Sequence, residues 1–172
     1  MNRRTKTYIA ADWTGDIEAV EQLRKWNESS HWSLYFLDVH ECFQCRDSSL
    51  ACTIKNSLRE RMNMSKKFVL IVGDKTKDLT KGSCYLCDSY NSYTRCCAKG
   101  HCVNNLSFVE YECHLAVEAD IEIIVLYNSS FVDKSLCPES VRNKGVHVAM
   151  KKAKLFDEPE WDYESVKDVL MK

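Results

Sequence analysis

Ser107 to Tyr127 reads SFVEYECHLAVEADIEIIVLY, and this stretch decides the fold. Ser107 is placed to cap a helix, and Glu110 three residues on completes a capping box. Apolar residues then recur at helical spacing, at Phe108, Val109, Cys113, Ala116 and Val117. After Asp120 the pattern changes to Ile121, Ile123, Ile124, Val125 and Leu126. Such a run suits a strand buried on both faces, as in a parallel sheet covered by helices. Glu112 sits one turn into the helix, on the side of Phe108 and Leu115. A carboxylate there can point into a cleft at the helix start. The competing reading is a solvated helix glutamate.

Outward from this unit, the same alternation recurs. Lys6 to Ala11 predicts a first strand. Asp16 can cap a helix that reaches Asn27, with Ile17, Val20, Leu23 and Trp26 as its apolar stripe. Trp32 to Val39 predicts a second strand and His40 to Ser49 a polar loop. Leu50 to Met64 predicts a helix with Ile54, Leu58 and Met62 at steps of four. Phe68 to Gly73 is a third, almost wholly apolar strand. Past Tyr127 a short strand is expected over 146–150. A last helix is expected over 161–170, with Pro159 suited to its first turn. This order predicts an α/β fold: a flavodoxin-like three-layer sandwich with a five-strand parallel sheet, order 2-1-3-4-5. The whole of 1–172 reads as one domain, with a long, polar, cysteine-rich insertion over 74–106.

Composition narrows the function. With 45% hydrophobic and 28% charged residues, the chain is expected to be a soluble globular protein. A formal net charge of −1 gives no reason to expect nucleic acid or an anionic membrane as partner. The basic start, MNRR, is followed by too short an apolar run for a signal peptide, and Ile121 to Tyr127 is too short to span a bilayer. A cytoplasmic location is expected. Neither GxGxxG nor GxxxxGK[ST] is present, and the five scattered histidines build no catalytic triad.

Ten cysteines in a reducing compartment point to thiols or metal ligands before disulfides. Cys84-x2-Cys87, Cys96-Cys97 and His101-Cys102 offer soft ligands. Cys84, Cys87, Cys97 and Cys102 could hold a closed, structural zinc, and free thiols are the alternative. Cys42-x2-Cys45 gives only a weak redox signal. Cys52 and Cys113 read as small buried hydrophobes.

Ligands of such sheets bind outside the carboxyl ends of the strands. That places Ala11, Asp12 and Trp13 beside a cleft, with Asp47 and Ser48 before the second helix. Trp13 can stack on a base or nicotinamide ring, or pack on the first helix. Asp47 and Ser48 can meet a ribose or phosphate, or cap the helix.

The passages YIAADWTGD, IKNSLRERM followed by SKKFVLIVG, and FVEYECHLAVEADIEIIVLYN resemble the bacterial TIR-like family, and within it the TIR proteins of Thoeris anti-phage defence. The resemblance spans about residues 5–130. It implies a flavodoxin-like fold and an NAD glycohydrolase or ADP-ribosyl cyclase-like enzyme. Such an enzyme takes NAD as substrate and cleaves its nicotinamide–ribose bond. It implies a cyclic or conjugated ADP-ribose product that activates a separate effector, a phage-derived trigger, and a homo-oligomer as the active form. Phe108 to Glu112 fits the family pattern aromatic-x-x-x-Glu, so Glu112 inherits the catalytic role, with Glu110 as the second candidate. The loop after the second strand would help assembly. Two other readings stand beside this one: a non-catalytic TIR-like scaffold, and a zinc-stapled or nucleotide-sensing domain.

Overall fold

The computed structural model describes residues 5–32, 34–39 and 50–172. Five parallel strands form its central sheet: β1 (Thr5–Ala10), β2 (Phe36–Asp38), β3 (Lys67–Val72), β4 (Glu122–Tyr127) and β5 (Val146–Ala149). Their order is β2-β1-β3-β4-β5, as the sequence predicts, and every pairing is parallel. Four helices cover it: α1 (Ile17–Glu28), α2 (Ala51–Asn63), α3 (Phe108–Glu118) and α4 (Tyr163–Leu170). No helix among the described residues is long and apolar enough to cross a membrane.

Alternation along the strands makes two cores. Phe68, Leu70 and Val72 of β3 face one side, with Tyr8 and Ala10 of β1 and Val125 and Tyr127 of β4. Val69 and Ile71 face the other, with Ile9, Ile124 and Leu126. Successive side chains of a strand point to opposite faces, so a wholly apolar strand needs a helix layer on each side. Leu58 and Met62 of α2 and Val109, Cys113 and Ala116 of α3 cover the first face. Ala19, Val20 and Leu23 of α1 and Val166 and Val169 of α4 cover the second. The direction of travel across the sheet reverses at β2, and right-handed crossovers then force α1 onto the opposite face from α2 and α3.

Several boundaries differ from expectation. The second strand is confined to 36–38, and Trp32 lies outside it in a turn. Trp32 instead packs edge-on to Tyr163 at 4.6 Å. Trp26 meets Tyr163 at 5.6 Å and Trp161 at 6.2 Å, so an aromatic cluster pins α4 to α1. The last helix begins at Tyr163, later than predicted, because Asp162 is its cap: Ser165 N–H donates to Asp162 Oδ1 at 3.2 Å. Pro159 therefore precedes the helix, and 160–161 pairs antiparallel with 151–152. A second small antiparallel ribbon, 90–91 with 96–97, lies inside the insertion. Neither ribbon has enough alternating residues to be visible in the sequence.

Gly145 opens β5 with φ +73, and a Cβ there would stand 2.1 Å from the Ile123 carbonyl oxygen of β4. Cys42, Cys45, Asp47 and Ser48 lie outside the described residues.

Candidate functional site

The start of α3 is fixed by its cap. Ser107 N–H donates to Glu110 Oε2 at 2.9 Å, and Glu110 N–H donates to Ser107 Oγ at 3.2 Å. This reciprocal pair sets the phase of the helix. One turn later that phase turns Glu112 inward, toward β1. Glu112 is only 5% exposed, which overturns its reading as a solvated helix residue. Tyr8 of β1 donates its hydroxyl to Glu112 Oε1 at 2.5 Å. Burial pushes the Glu112 carboxyl up from 4.5 to about 7, against the opposing pull of the Tyr8 hydrogen bond and the Arg61 charge. Burial first, and Glu112 second, push the Tyr8 phenol well above its usual value. Tyr8 therefore stays a donor across neutral pH, while Glu112 titrates within it.

Tyr8 and Arg61 were not identified from the sequence. The signal for Tyr8 is its place on the β1 face that meets α3. For Arg61, a buried charge on the inner side of α2, the helical period with Leu58 and Met62 was the available clue.

Removing the Tyr8 hydroxyl tests this pair. In Tyr8→Phe a buried carboxylate loses its neutral donor, a loss of about 1–3 kcal/mol when the acceptor is ionised. The expected melting-temperature drop is larger at pH 8 than at pH 5, where Glu112 is protonated. Equal drops at both pH values would show that the hydroxyl does not report on the Glu112 charge.

Two clefts flank the carboxyl ends of the strands. One, of about 420 Å³, is lined by Asp12, Gly15, Asp16, Gly73, Asp74 and Asn128, among others. Its size suits a small-molecule ligand. Asn128 Nδ2 donates to Asp16 Oδ1 at 3.0 Å and so ties the α1 start to the end of β4. Asp16 stands at the cap position of α1 as predicted, but its side chain makes no cap hydrogen bond. Burial raises its carboxyl above the usual range, with the Asn128 hydrogen bond opposing. A Cβ at Gly73 would stand 2.0 Å from Asp16 Oδ1, so only glycine lets β3 end against this carboxylate. Of the predicted binding residues, Asp12 lines this cleft, Ala11 is buried and does not line it, and Trp13 lies over the Arg24 guanidinium at 5.0 Å. The second cleft, of about 480 Å³, borders the start of α3 and includes Lys77, Ser83, Asn105, Ser107 and Glu110. Glu110 thus meets open space, whereas Glu112 lines neither cleft.

The cysteines of the insertion gather at a third place. Cys84, Cys87, Cys97 and Cys102 line one small cavity with Cys52 of α2 and His101. Cys113 is fully buried as expected, but Cys52 is half-buried, on this cavity rather than in a core. Among the described residues no group of three or more His, Cys, Asp or Glu side chains is arranged to hold a metal ion as it stands.

None of the curated proteins compared matches the chain. Residues 8–81 match the family model described as the Thoeris protein ThsB, TIR-like domain. That stretch carries Tyr8, Asp12, Asp16, Arg61 and Gly73 and ends before α3 and Glu112. Residues 8–81 are thus similar to the TIR-like domain of the Thoeris protein ThsB, and the strand order of the whole sheet is that of a flavodoxin-like TIR fold.

Proposed function

We propose that this TIR-like protein serves anti-phage defence by cleaving NAD at its nicotinamide–ribose bond, with Glu112 as the essential carboxylate. The observation that carries the reading is the buried Glu112 carboxyl, held by Tyr8 and raised to about 7, inside a fold of the Thoeris kind. Carboxyls shifted this far by burial concentrate at reactive sites.

In this reading the bond between the nicotinamide ring nitrogen and the ribose C1′ breaks, and its electron pair leaves with neutral nicotinamide. The ribose becomes oxocarbenium-like, and an ionised Glu112 stabilises that charge. The leaving group is cationic in the substrate, so no acid need protonate it. Water, or a nucleophile on the nucleotide itself or on a second metabolite, then captures C1′. The product is ADP-ribose, or a cyclic or conjugated signal for a separate effector.

Burial of Glu112 also accounts for restraint at rest. A covered carboxyl near pH 7 is partly neutral and out of reach of substrate, so turnover requires its cover to open. Opening lets in water, lowers the carboxyl's pKa and generates the charge that the reaction needs. A phage-derived trigger that assembles the protein would supply that step.

The test is nicotinamide release from NAD by the purified chain, with and without an extract of phage-infected cells. Release that depends on the extract is expected. No release under any triggering condition, from a protein whose effector is nonetheless activated, would remove NAD cleavage and leave a scaffold.

A further inference from the structure

The insertion between β3 and α3 is poorly served by the two cores. From Cys87 to Leu106 no residue is buried, and Tyr85, Leu86 and Tyr93 present large apolar side chains to solvent. Its ribbon, 90–91 with 96–97, is a two-stranded element, which is marginal alone in water. Yet the chain here follows a defined path, with turns closed by backbone hydrogen bonds.

We propose that Cys84, Cys87, Cys97 and Cys102 bind one zinc ion in a closed tetrahedral site that fastens the insertion to α2. All four line a single cavity with about 10 Å³ of room, the space of one water or one ion. Cys84 and Cys87 are paired by a tight turn in which Cys87 N–H donates to the Cys84 carbonyl at 3.0 Å. Cys97 begins a second tight turn, closed by Gly100 N–H on the Cys97 carbonyl at 2.9 Å, with Gly100 at φ +74. Cys102 follows directly. The ribbon brings the two turns together, since Tyr90 pairs with Cys97.

The same ribbon selects among the thiols. Cys96 and Cys97 are neighbours in a strand, so their side chains leave on opposite faces. Cys97 lines the cavity, whereas Cys96 is exposed and its Sγ donates to the Thr94 carbonyl. Cys102 is exposed at the cavity's edge, with the rotamer freedom to turn inward.

The surroundings suit thiolates. Asn104 N–H donates to Cys84 Sγ at 3.2 Å, the kind of outer hydrogen bond that orients a metal-bound sulfur. Lys55 of α2 is 3% exposed, and its ammonium donates to three neutral oxygens: the carbonyls of Asn104 and Leu106 and Asn104 Oδ1. Burial lowers the pKa of this ammonium, and the nearby Cys84, Glu110 and Cys52 side chains oppose that shift. Four thiolates on a divalent ion leave a surplus of negative charge, and a buried ammonium beside them is the matching counter-ion. On binding, four thiols lose their protons and four sulfur–zinc bonds form, with no change of oxidation state. The ion would be structural, as no position is left for water or substrate.

The test is zinc content of the full chain, purified under reducing conditions from zinc-supplemented cells. One zinc per chain is expected. Cys97→Ser and Cys102→Ser should each lose it, and Cys96→Ser should keep it. Strong chelation of the wild type should lower its melting temperature by about 10 °C. Replacement by cobalt should give the absorption of a tetrahedral ion with thiolate charge transfer. Wild-type protein holding less than about a tenth of an ion per chain, after zinc has been offered to the reduced protein, would overturn the proposal. So would Cys96→Ser losing the ion while Cys97→Ser retains it. If a serine variant does not fold, the wild-type ion count and the cobalt spectrum decide alone.

Discussion

Glu112→Gln is expected to cut triggered nicotinamide release by roughly a hundredfold or more while making the protein more stable at pH 8. The first effect follows from the loss of one aligned charge that stabilises a developing ribosyl cation. NAD binding should change much less, because that charge acts on the transition state rather than on the bound ground state. The second effect follows from burial. A carboxyl held near 7 in the fold, against 4.5 in water, binds its proton more tightly when folded. Its contribution is fully favourable below about 4.5 and is lost as pH rises through about 7. The ionised form then costs on the order of 3 kcal/mol. A neutral amide avoids that cost and still accepts from Tyr8, although its own amide donors offset part of the gain. The expected result is a variant that melts several degrees higher at pH 8, with the advantage vanishing near pH 5. Melts of both proteins from pH 5 to pH 8, alongside the turnover assay, read both effects. A difference that does not vary with pH would show that Glu112 does not titrate as a buried group. A folded variant with wild-type turnover would pass the catalytic role to Glu110, which already borders an open cleft.

Gly145→Ala is expected to be among the most destabilising single changes in the chain. A left-handed backbone costs a residue with a Cβ about 1–2 kcal/mol. The new methyl also meets the Ile123 carbonyl at 2.1 Å, which is backbone of the neighbouring strand and cannot rotate away. Forcing it in shifts β5 away from β4, for a total of about 3–5 kcal/mol. Gly100→Ala supplies the control. Its φ of +74 is nearly the same, but nothing lies within 4 Å of the added Cβ. Only the backbone term applies there. Thermal melts should therefore separate the two by several degrees, and equal shifts would remove the steric argument.

The contrast between these positions shows what was legible in the sequence. Long apolar strands such as FVLIV and IIVLY have one stable home, a sheet covered on both faces, so strand order and layer arrangement could be read ahead. The capping box of α3 was readable for the same reason: Ser107 and Glu110 carry it within four residues. Partners far apart in the chain were not readable. The Glu112 carboxyl meets Tyr8 across 104 positions, and Asp16 meets Asn128 across 112. Nothing local in YIAADW marks Tyr8 as the donor. Asp16 looked like a cap because caps are local, yet its side chain is engaged by Asn128, just past β4, instead. Trp32 looked like a strand residue because aromatics favour strands, and packing against Tyr163 took precedence over that preference.

The aromatic cluster on α4 also determines what light can report about this protein. Three of its four tryptophans, Trp26, Trp32 and Trp161, surround Tyr163 or touch one another on the α1–α4 side of the sheet. The fourth, Trp13, stands over Arg24 on the same helix α1. Intrinsic emission therefore watches one face of the molecule. Undocking of α4 would shift its colour, whereas events around Glu112, α2 or the cysteine cavity would pass almost in the dark. A tryptophan placed at Tyr85, exposed beside Tyr90, would give the other face its own lamp.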